Sequence, residues 1–281
     1  MKEAISNKNY YTENGILITA KGTSVTRKQL LMLKKKYDST SKTEPSTASA
    51  LQIESMQDEV IADEAMETQI SRIQNRYQTV NSQILTQASS LLVSIVFDSK
   101  QKPWYMYIKA LANHTDWLYT HSIDVSLISL MIAMESGISK NILFDIGVGA
   151  VLHDVGKLLI PNRILQDATP LSETEELIIQ QHCELGADCT SECSLPQISH
   201  DIILQHHERL DGTGYPNRLT AEQINEYAKI VMIADVFDTI TAGSPYKETV
   251  CVEEALRVLE NKVGAFDEKY VNVLKKIVAQ M

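Results

Sequence analysis

The sequence predicts an all-α bundle preceded by a small N-terminal module that contains a short hairpin and a helix. From residue 102 onward, apolar residues recur at helical spacing and no alternating strand pattern competes with them. Glycine and proline fall between the helical stretches, where connections are expected. The chain has 281 residues, of which 44% are hydrophobic, so it can form one large domain with an appendage.

The N-terminal module is predicted to occupy residues 1–37. In the segment YYTENGILITAKGT, the turns Asn14-Gly15 and Lys21-Gly22 flank a short apolar run, a pattern that predicts a hairpin. A helix is expected to start at Thr26. Residues 38–50 are rich in serine and threonine and predict a linker, and residues 51–100 predict a helical connector, which is a candidate contact for a homodimer.

The bundle is predicted to span residues 101–281, with one helix after another. The periodic stretches that predict helices are 103–113, 117–136, 140–157, 172–188, 197–207, 221–241, 251–262 and 266–280. Such a run of helices joined by short connections is typical of a helical bundle.

Composition narrows the function classes. A net charge of -10 argues against a nucleic acid polymer as partner. The first residues have no apolar run typical of a signal peptide, and no stretch approaches the ~20 apolar residues of a membrane span. The four cysteines form no C-x-x-C pair, which predicts reduced thiols in a cytoplasmic protein; they are Cys183, Cys189, Cys193 and Cys251.

Five of the seven histidines and two aspartates recur at comparable positions on successive predicted helices, in steps of roughly 24 to 32 residues. These residues are His121, His153, Asp154, His182, His206, His207 and Asp235. Imidazole and carboxylate suit iron, manganese, zinc or nickel. With Asp154 as the bridge, seven side chains would give four bonds to each of two cations, and a water between the cations would become a nucleophile for a phosphodiester.

The remaining candidates have simpler interpretations. His114 and His200 are predicted to be ordinary polar residues, and Asp124 and Asp238 to be helix caps or hydrogen-bond partners of metal ligands. A buried His-Asp pair without partners would cost several kcal/mol, and a metal would remove that cost.

Several motifs, in this order, resemble the HD-GYP family, a branch of the HD metal phosphohydrolases. They are His121 in LYTHSIDV, HDVGKLLIP (153–161), QHCELG (181–186), HHERLDGTGYP (206–216) and ADVFDTIT (234–241). The resemblance covers about residues 103–281. It implies an HD-type helical bundle and hydrolysis of cyclic di-GMP, to the linear dinucleotide or GMP, in bacterial second-messenger signalling.

The resemblance also implies roles for individual residues. The seven clustered residues would be metal ligands, for two divalent ions that are expected to be iron or manganese, with zinc, nickel or magnesium as alternatives. Asp154 and Lys157 would belong to the catalytic centre, with Lys157 on a substrate phosphate. The substrate would also contact a signature loop and one further lysine: Asp211, Gly212, Gly214, Tyr215, Pro216 and Lys247. Proteins with GGDEF domains are implied as partners.

The chain departs from the family pattern at three places. Trp117 occupies the position of a glutamate that supports a third metal, which favours two metals. Ser244 replaces an arginine that clamps phosphate. The segment QDATPLSETEE (166–176) lacks the usual lysine and glycine. The replacement at Ser244 keeps one alternative open, namely another cyclic dinucleotide or nucleotide as substrate. Two further alternatives also stay open: a non-catalytic module that binds nucleotide or a GGDEF partner, and a di-iron oxygenase.

Overall fold

The computed structural model describes residues 82–114, 116–165, 171–242 and 250–278, together with four short strands near the N-terminus. The chain divides into two compact units, Met1–Gln57 and Asp58–Met281. The predicted helix after Thr26, the predicted linker 38–50 and residues 51–81 of the predicted connector lie outside the described residues.

The strands described in the first unit form antiparallel pairs. Strand β1 (Glu3–Ile5) pairs with β4 (Ser24–Thr26), and β2 (Tyr10–Tyr11) pairs with β3 (Leu17–Thr19). The β2–β3 pair is the hairpin that the turn residues predict.

The described part of the second unit is built from α-helices, as the periodicity predicts. The helices are α1 (Ser82–Ser99), α2 (Tyr105–His114), α3 (Asp116–Glu135), α4 (Lys140–Leu152), α5 (Asn162–Leu165), α6 (Glu173–Gln180), α7 (His182–Thr190), α8 (Gln197–Gln205), α9 (Glu226–Thr241), α10 (Val252–Asn261) and α11 (Glu268–Val278). Two short 3-10 helices, Val155–Leu159 and Ser191–Cys193, follow α4 and α7. The all-α prediction is confirmed.

Helix α3 lies at the centre of the bundle. It packs against α1, α2, α4, α9 and α11, and its buried apolar residues between Leu118 and Ala133 lie on all of its sides, as expected for a helix that is mostly enclosed. Its segment Trp117–Glu135 is long and apolar enough to cross a membrane, with a mean hydropathy of 1.3, but 78% of that window is buried inside the protein. Its hydropathy is therefore that of a core helix. Helix α8 closes the other side, against α4, α7 and α9.

Two predicted helices are broken in the structure, and both breaks fall at a predicted ligand. The stretch 140–157 ends as an α-helix at Leu152, and the stretch 172–188 is divided at Gln181. At each break, a histidine Nδ1 bonds to the carbonyl three residues earlier: His153 to Ala150, at 2.7 Å, and His182 to Ile179, at 2.6 Å. In a continuing α-helix that carbonyl would accept a hydrogen bond from the backbone N–H of the residue after the histidine. The histidine ring therefore competes with the backbone hydrogen bonds of the helix.

Candidate metal centre

The seven predicted site residues come together at one point inside the bundle. His121 lies on α3, His153 and Asp154 follow α4, and His182 begins α7. His206 and His207 follow α8, and Asp235 lies on α9. The five imidazoles form a connected cluster in which neighbouring ring centroids are 4.2 to 5.3 Å apart. Residues scattered over more than a hundred positions thus share one pocket.

The ligand-type atoms form two groups. One consists of Asp154, His182, His206 and His207, and the other of His121, His153 and Asp235. Within each group, the atoms that could hold an ion lie within 4.8 Å of one another.

Asp154 joins the two groups because its two oxygens face different rings. Oδ1 lies 3.3 Å from Nε2 of His182 and 3.9 Å from Nε2 of His206. Oδ2 lies 3.4 Å from Nε2 of His153 and 3.7 Å from Nε2 of His121. This is the orientation that a bridging carboxylate requires.

Asp235 also spans the groups, which the sequence did not indicate. Its Oδ1 lies 3.1 Å from Nε2 of His121, and its Oδ2 lies 3.7 Å from Nδ1 of His207. Two carboxylates, rather than one, are therefore placed between the imidazoles.

Backbone carbonyls orient three of the rings. The Nδ1 atoms of His153, His182 and His206 bond to the carbonyls of Ala150, Ile179 and Ile203 at 2.7, 2.6 and 3.0 Å. A carbonyl only accepts, so each of these rings carries its proton on Nδ1 and turns the lone pair of Nε2 towards the cluster. The local fold thus fixes the tautomer that a cation needs.

The electrostatics at His182 and His206 favour neutral imidazoles, and those at Asp154 and Asp235 favour ionised carboxylates. Burial, reinforced by neighbouring imidazoles, holds the pKa of His206 well below its usual range, and burial lowers the pKa of His182 to about 4 against the attraction of Asp154. Burial alone would raise the pKa values of Asp154 and Asp235. Lys157 and neighbouring histidines hold the pKa of Asp154 well below its usual range, and neighbouring histidines do the same for the pKa of Asp235. Neutral imidazole and carboxylate are the protonation states that bind metal.

Two buried atoms at the centre lack a hydrogen bond. Nε2 of His153 and Oδ1 of Asp154 are fully buried and have no hydrogen-bond partner among the described residues. Leaving a charged oxygen in this condition costs several kcal/mol, and a shared cation removes that cost. The residues present therefore fit a metal centre.

Asp238 acts on the cluster through His121. Its Oδ2 accepts a hydrogen bond of 2.8 Å from Nδ1 of His121, as the prediction of a partner for a metal ligand requires. Burial alone would lower the pKa of His121, but Asp235 and Asp238 raise it to about 10, so a cation must displace a proton from this ring.

Replacing Asp238 with asparagine should weaken metal binding about 10- to 100-fold, because the neutral amide lacks the charge that makes the His121 ring a more basic ligand, and its NH2 group competes with the amide oxygen for Nδ1. Competition for manganese against a chelator measures the change. Asp145→Asn is the matched control. Burial raises the pKa of that carboxyl, which lies outside the cluster, so neutralising it should leave the manganese affinity within about twofold. Equal affinities in the two variants would contradict a role for Asp238.

The cluster opens on the side of His121, Lys157 and His207. Their side chains are 12%, 15% and 17% exposed, whereas those of His153, Asp154, His182 and His206 are fully buried. The Lys157 ammonium lies 2.6 Å from Oδ2 of Asp154. It is therefore held at the opening rather than solvated at a helix end.

Glu208 binds the chain directly after the predicted signature loop. This buried carboxylate accepts hydrogen bonds from the backbone N–H groups of Asn217, at 2.7 Å, and Leu219, at 2.9 Å. A Cβ atom at Gly214 would lie 2.4 Å from the backbone of Glu208 and Arg209, so only glycine fits there. Loop and cluster are thus joined through the residue that follows the His206-His207 pair.

The other predicted loop residues have distinct surroundings. The Tyr215 ring lies 4.7 Å from the His207 ring, and Pro216 follows it at the rim of a pocket of about 760 Å³. Gly212 has a φ of 76°, in the region that favours glycine. The exposed Asp211 bonds within the loop, where its Oδ1 accepts hydrogen bonds from the backbone N–H and the hydroxyl of Thr213 at 3.0 and 2.7 Å.

Several predictions fall outside these observations. Ser244, Lys247 and the segment 166–170 lie outside the described residues. His114 and His200 belong to neither metal-type group. The four cysteines are free thiols, as predicted. The Sγ atom of Cys183 lies 3.6 Å from Nε2 of His182.

Comparison with known proteins gives a match to the family described as HD domain over residues 105–270. A cyclic di-GMP phosphodiesterase of Pseudomonas aeruginosa is 32% identical over 164 residues, which make up 58% of this chain and 40% of the relative. A cyclic di-GMP phosphodiesterase of Thermotoga maritima is 38% identical over 148 residues, covering 52% and 40% of the two chains. A 3'3'-cGAMP-specific phosphodiesterase of Vibrio cholerae is 40% identical over 126 residues, covering 44% and 24%.

Among solved structures, an HDG"Y"P protein from Bdellovibrio bacteriovorus aligns with a TM-score of 0.54 and 19% identity, over 98% of this chain and 95% of that one. This likeness shows the fold. The curated relatives from Pseudomonas and Thermotoga are each matched over 40% of their own length.

Proposed function

The chain belongs to the HD domain family, and we propose that it is a metal-dependent phosphodiesterase that hydrolyses cyclic di-GMP. The proposal rests on the family, on relatives that carry this activity in their names, and on the convergence of five imidazoles and two carboxylates at a partly open cluster.

The observation that carries the proposal is the placement of Asp154. Each of its oxygens faces a different group of imidazoles, which supports two ions that share one carboxylate. Histidine nitrogen with carboxylate oxygen suits iron or manganese, and also zinc or nickel. The resemblance to the HD-GYP family implies a glutamate at position 117 where a third ion is bound. Trp117 cannot ligate an ion, so two ions are proposed.

When bound, such ions supply positive charge for a phosphate group and lower the pKa of a coordinated water. The chain itself provides the orientation of the ligands and a cation. Nδ1–H bonds to backbone carbonyls aim the imidazoles, and Asp238 aims His121. Lys157, at the opening, can donate to a non-bridging phosphate oxygen, which stabilises the charge that develops there during hydrolysis.

The second candidate substrate is 3'3'-cGAMP, which should be assayed in parallel. The Vibrio cholerae relative named as specific for it is 40% identical, a value higher than that of either cyclic di-GMP phosphodiesterase quoted above. Both substrates present the same phosphodiester to the cluster, so only contacts with the bases distinguish them.

The test is a turnover assay with protein loaded with manganese or iron. We expect hydrolysis of cyclic di-GMP to the linear dinucleotide or GMP, which is measured by separating the products. Chelation of the metal should abolish this activity, and adding the metal back should restore it. Faster turnover of 3'3'-cGAMP would move the assignment to that substrate. Protein that carries bound metal but cleaves neither cyclic dinucleotide would refute the proposed function.

A further inference from the structure

Trp117 is exposed beside the opening of the cluster. It is 37% exposed, whereas Trp104, the other tryptophan of the chain, is 4% exposed. It lies four residues before His121 on α3, one helical turn away and therefore on the same side of the helix. Neither the fold nor the proposed chemistry requires a large aromatic ring at this place.

The indole is connected to the reactive part of the cluster through Lys157. The Lys157 ammonium lies 5.9 Å from the centroid of the Trp117 ring, within the range of a cation–π contact, and 2.6 Å from Oδ2 of Asp154. A phosphate group that meets Lys157 therefore arrives beside the indole.

A second aromatic ring flanks the other group of imidazoles. The Tyr215 ring lies 4.7 Å from the His207 ring and 6.3 Å from the His182 ring, and both histidines belong to the group that contains Asp154. Trp117 lies on the side of His121 and Lys157, which face Oδ2. One aromatic side chain thus borders each side of the cluster, and a cyclic dinucleotide has two bases.

We propose that Trp117 is a substrate-positioning residue that stacks on a purine base of the cyclic dinucleotide while the adjacent phosphate lies against Lys157. This inference rests on the proposed function and names a contact for its substrate. Stacking on an indole needs only the flat face of the base. It is therefore expected to serve guanine and adenine alike, and to contribute to binding rather than to the chemical step.

The test compares Trp117→Leu with Trp117→Phe in manganese-loaded protein. Leucine keeps an apolar side chain but removes the ring, and we expect the KM for cyclic di-GMP to rise about tenfold, as loss of one base–aromatic stack implies. The kcat and the manganese content should stay unchanged. Phenylalanine should restore the KM to within about threefold, and 3'3'-cGAMP should show the same pattern.

Inorganic phosphate is the probe without a base. Its inhibition constant should be equal in the wild type and in Trp117→Leu, because inorganic phosphate has no base that could stack on the indole. A parallel loss of phosphate inhibition would show that the ring acts only through Lys157 and would overturn the proposal, as would an unchanged KM. Phe97→Leu is the matched control, since it removes a ring that is 64% exposed on α1, a helix without cluster residues.

A fluorescence titration separates failure of this inference from failure of the proposed function. GMP should quench the emission of the wild type but not that of Trp117→Phe, whose remaining tryptophan is the buried Trp104. If the protein hydrolyses no cyclic dinucleotide, quenching by GMP but not by phosphate still supports stacking on Trp117. Equal quenching of both proteins by GMP would refute it.

Discussion

His153→Asn is expected to abolish metal binding while leaving the metal-free fold intact. An asparagine amide can reproduce the bond from Nδ1 to the carbonyl of Ala150, which is 2.7 Å long, but it carries no atom in the place of Nε2. That Nε2 has no hydrogen-bond partner within the described part of the chain, so deleting it should move the unfolding temperature of metal-free protein by only a few degrees. Affinity for manganese should fall by more than about 100-fold, since even the partners of ligands contribute 10- to 100-fold.

Elemental analysis and a chelator competition measure the affinity, and turnover of cyclic di-GMP should fall with it. His200→Asn is the control, because His200 lies on α8, outside both metal-type groups, and should keep full metal content. A His153→Asn protein that binds manganese like the wild type would refute the metal centre. A variant that loses metal only because it unfolds would be recognised from the metal-free unfolding temperature.

The membership of the cluster could be predicted from sequence because it depends on spacing alone. Helices of similar length joined by short connections return to the same end of a bundle, so ligands separated by roughly 24 to 32 residues converge. The same periodicity predicts most helices to within a few residues, such as 197–207 for Gln197–Gln205.

The detailed geometry could not be predicted in this way. The breaks at His153 and at Gln181 arise because ring nitrogens bond to carbonyls of the preceding turn, a competition that hydrophobic periodicity does not register. The position of Asp235 between the two groups and the exposure of Trp117 depend on how helices pack. The double hydrogen bond of Glu208 to Asn217 and Leu219 depends on the path of a loop, although a glutamate next to two ligand histidines was a signal that could have been followed.

Gly156→Ala is expected to destabilise the protein by at least about 3 kcal/mol and to disturb the metal centre with it. A Cβ atom on Gly156 would lie 1.9 Å from the carbonyl oxygen of His182 and 2.7 Å from the backbone nitrogen of Gly186. Both atoms are backbone, so the clash is relieved only if α7 moves away from the 3-10 helix Val155–Leu159. That movement would carry His182 away from Asp154, whose Oδ1 now lies 3.3 Å from its Nε2.

Thermal unfolding of the metal-free protein measures the first effect, and a fall of roughly 6 to 12 °C corresponds to about 3 kcal/mol in a domain of this size. Gly147→Ala on α4 is the matched control. Its Cβ would approach only the Cδ1 end of Ile95 below 3 Å, at 2.4 Å, and that side chain can rotate, whereas alanine favours the helix. The control should stay within about 1 kcal/mol of the wild type. If both variants behaved alike, the close packing of α7 on Gly156 would not determine the position of His182, and the glycine two residues after Asp154 would need another explanation.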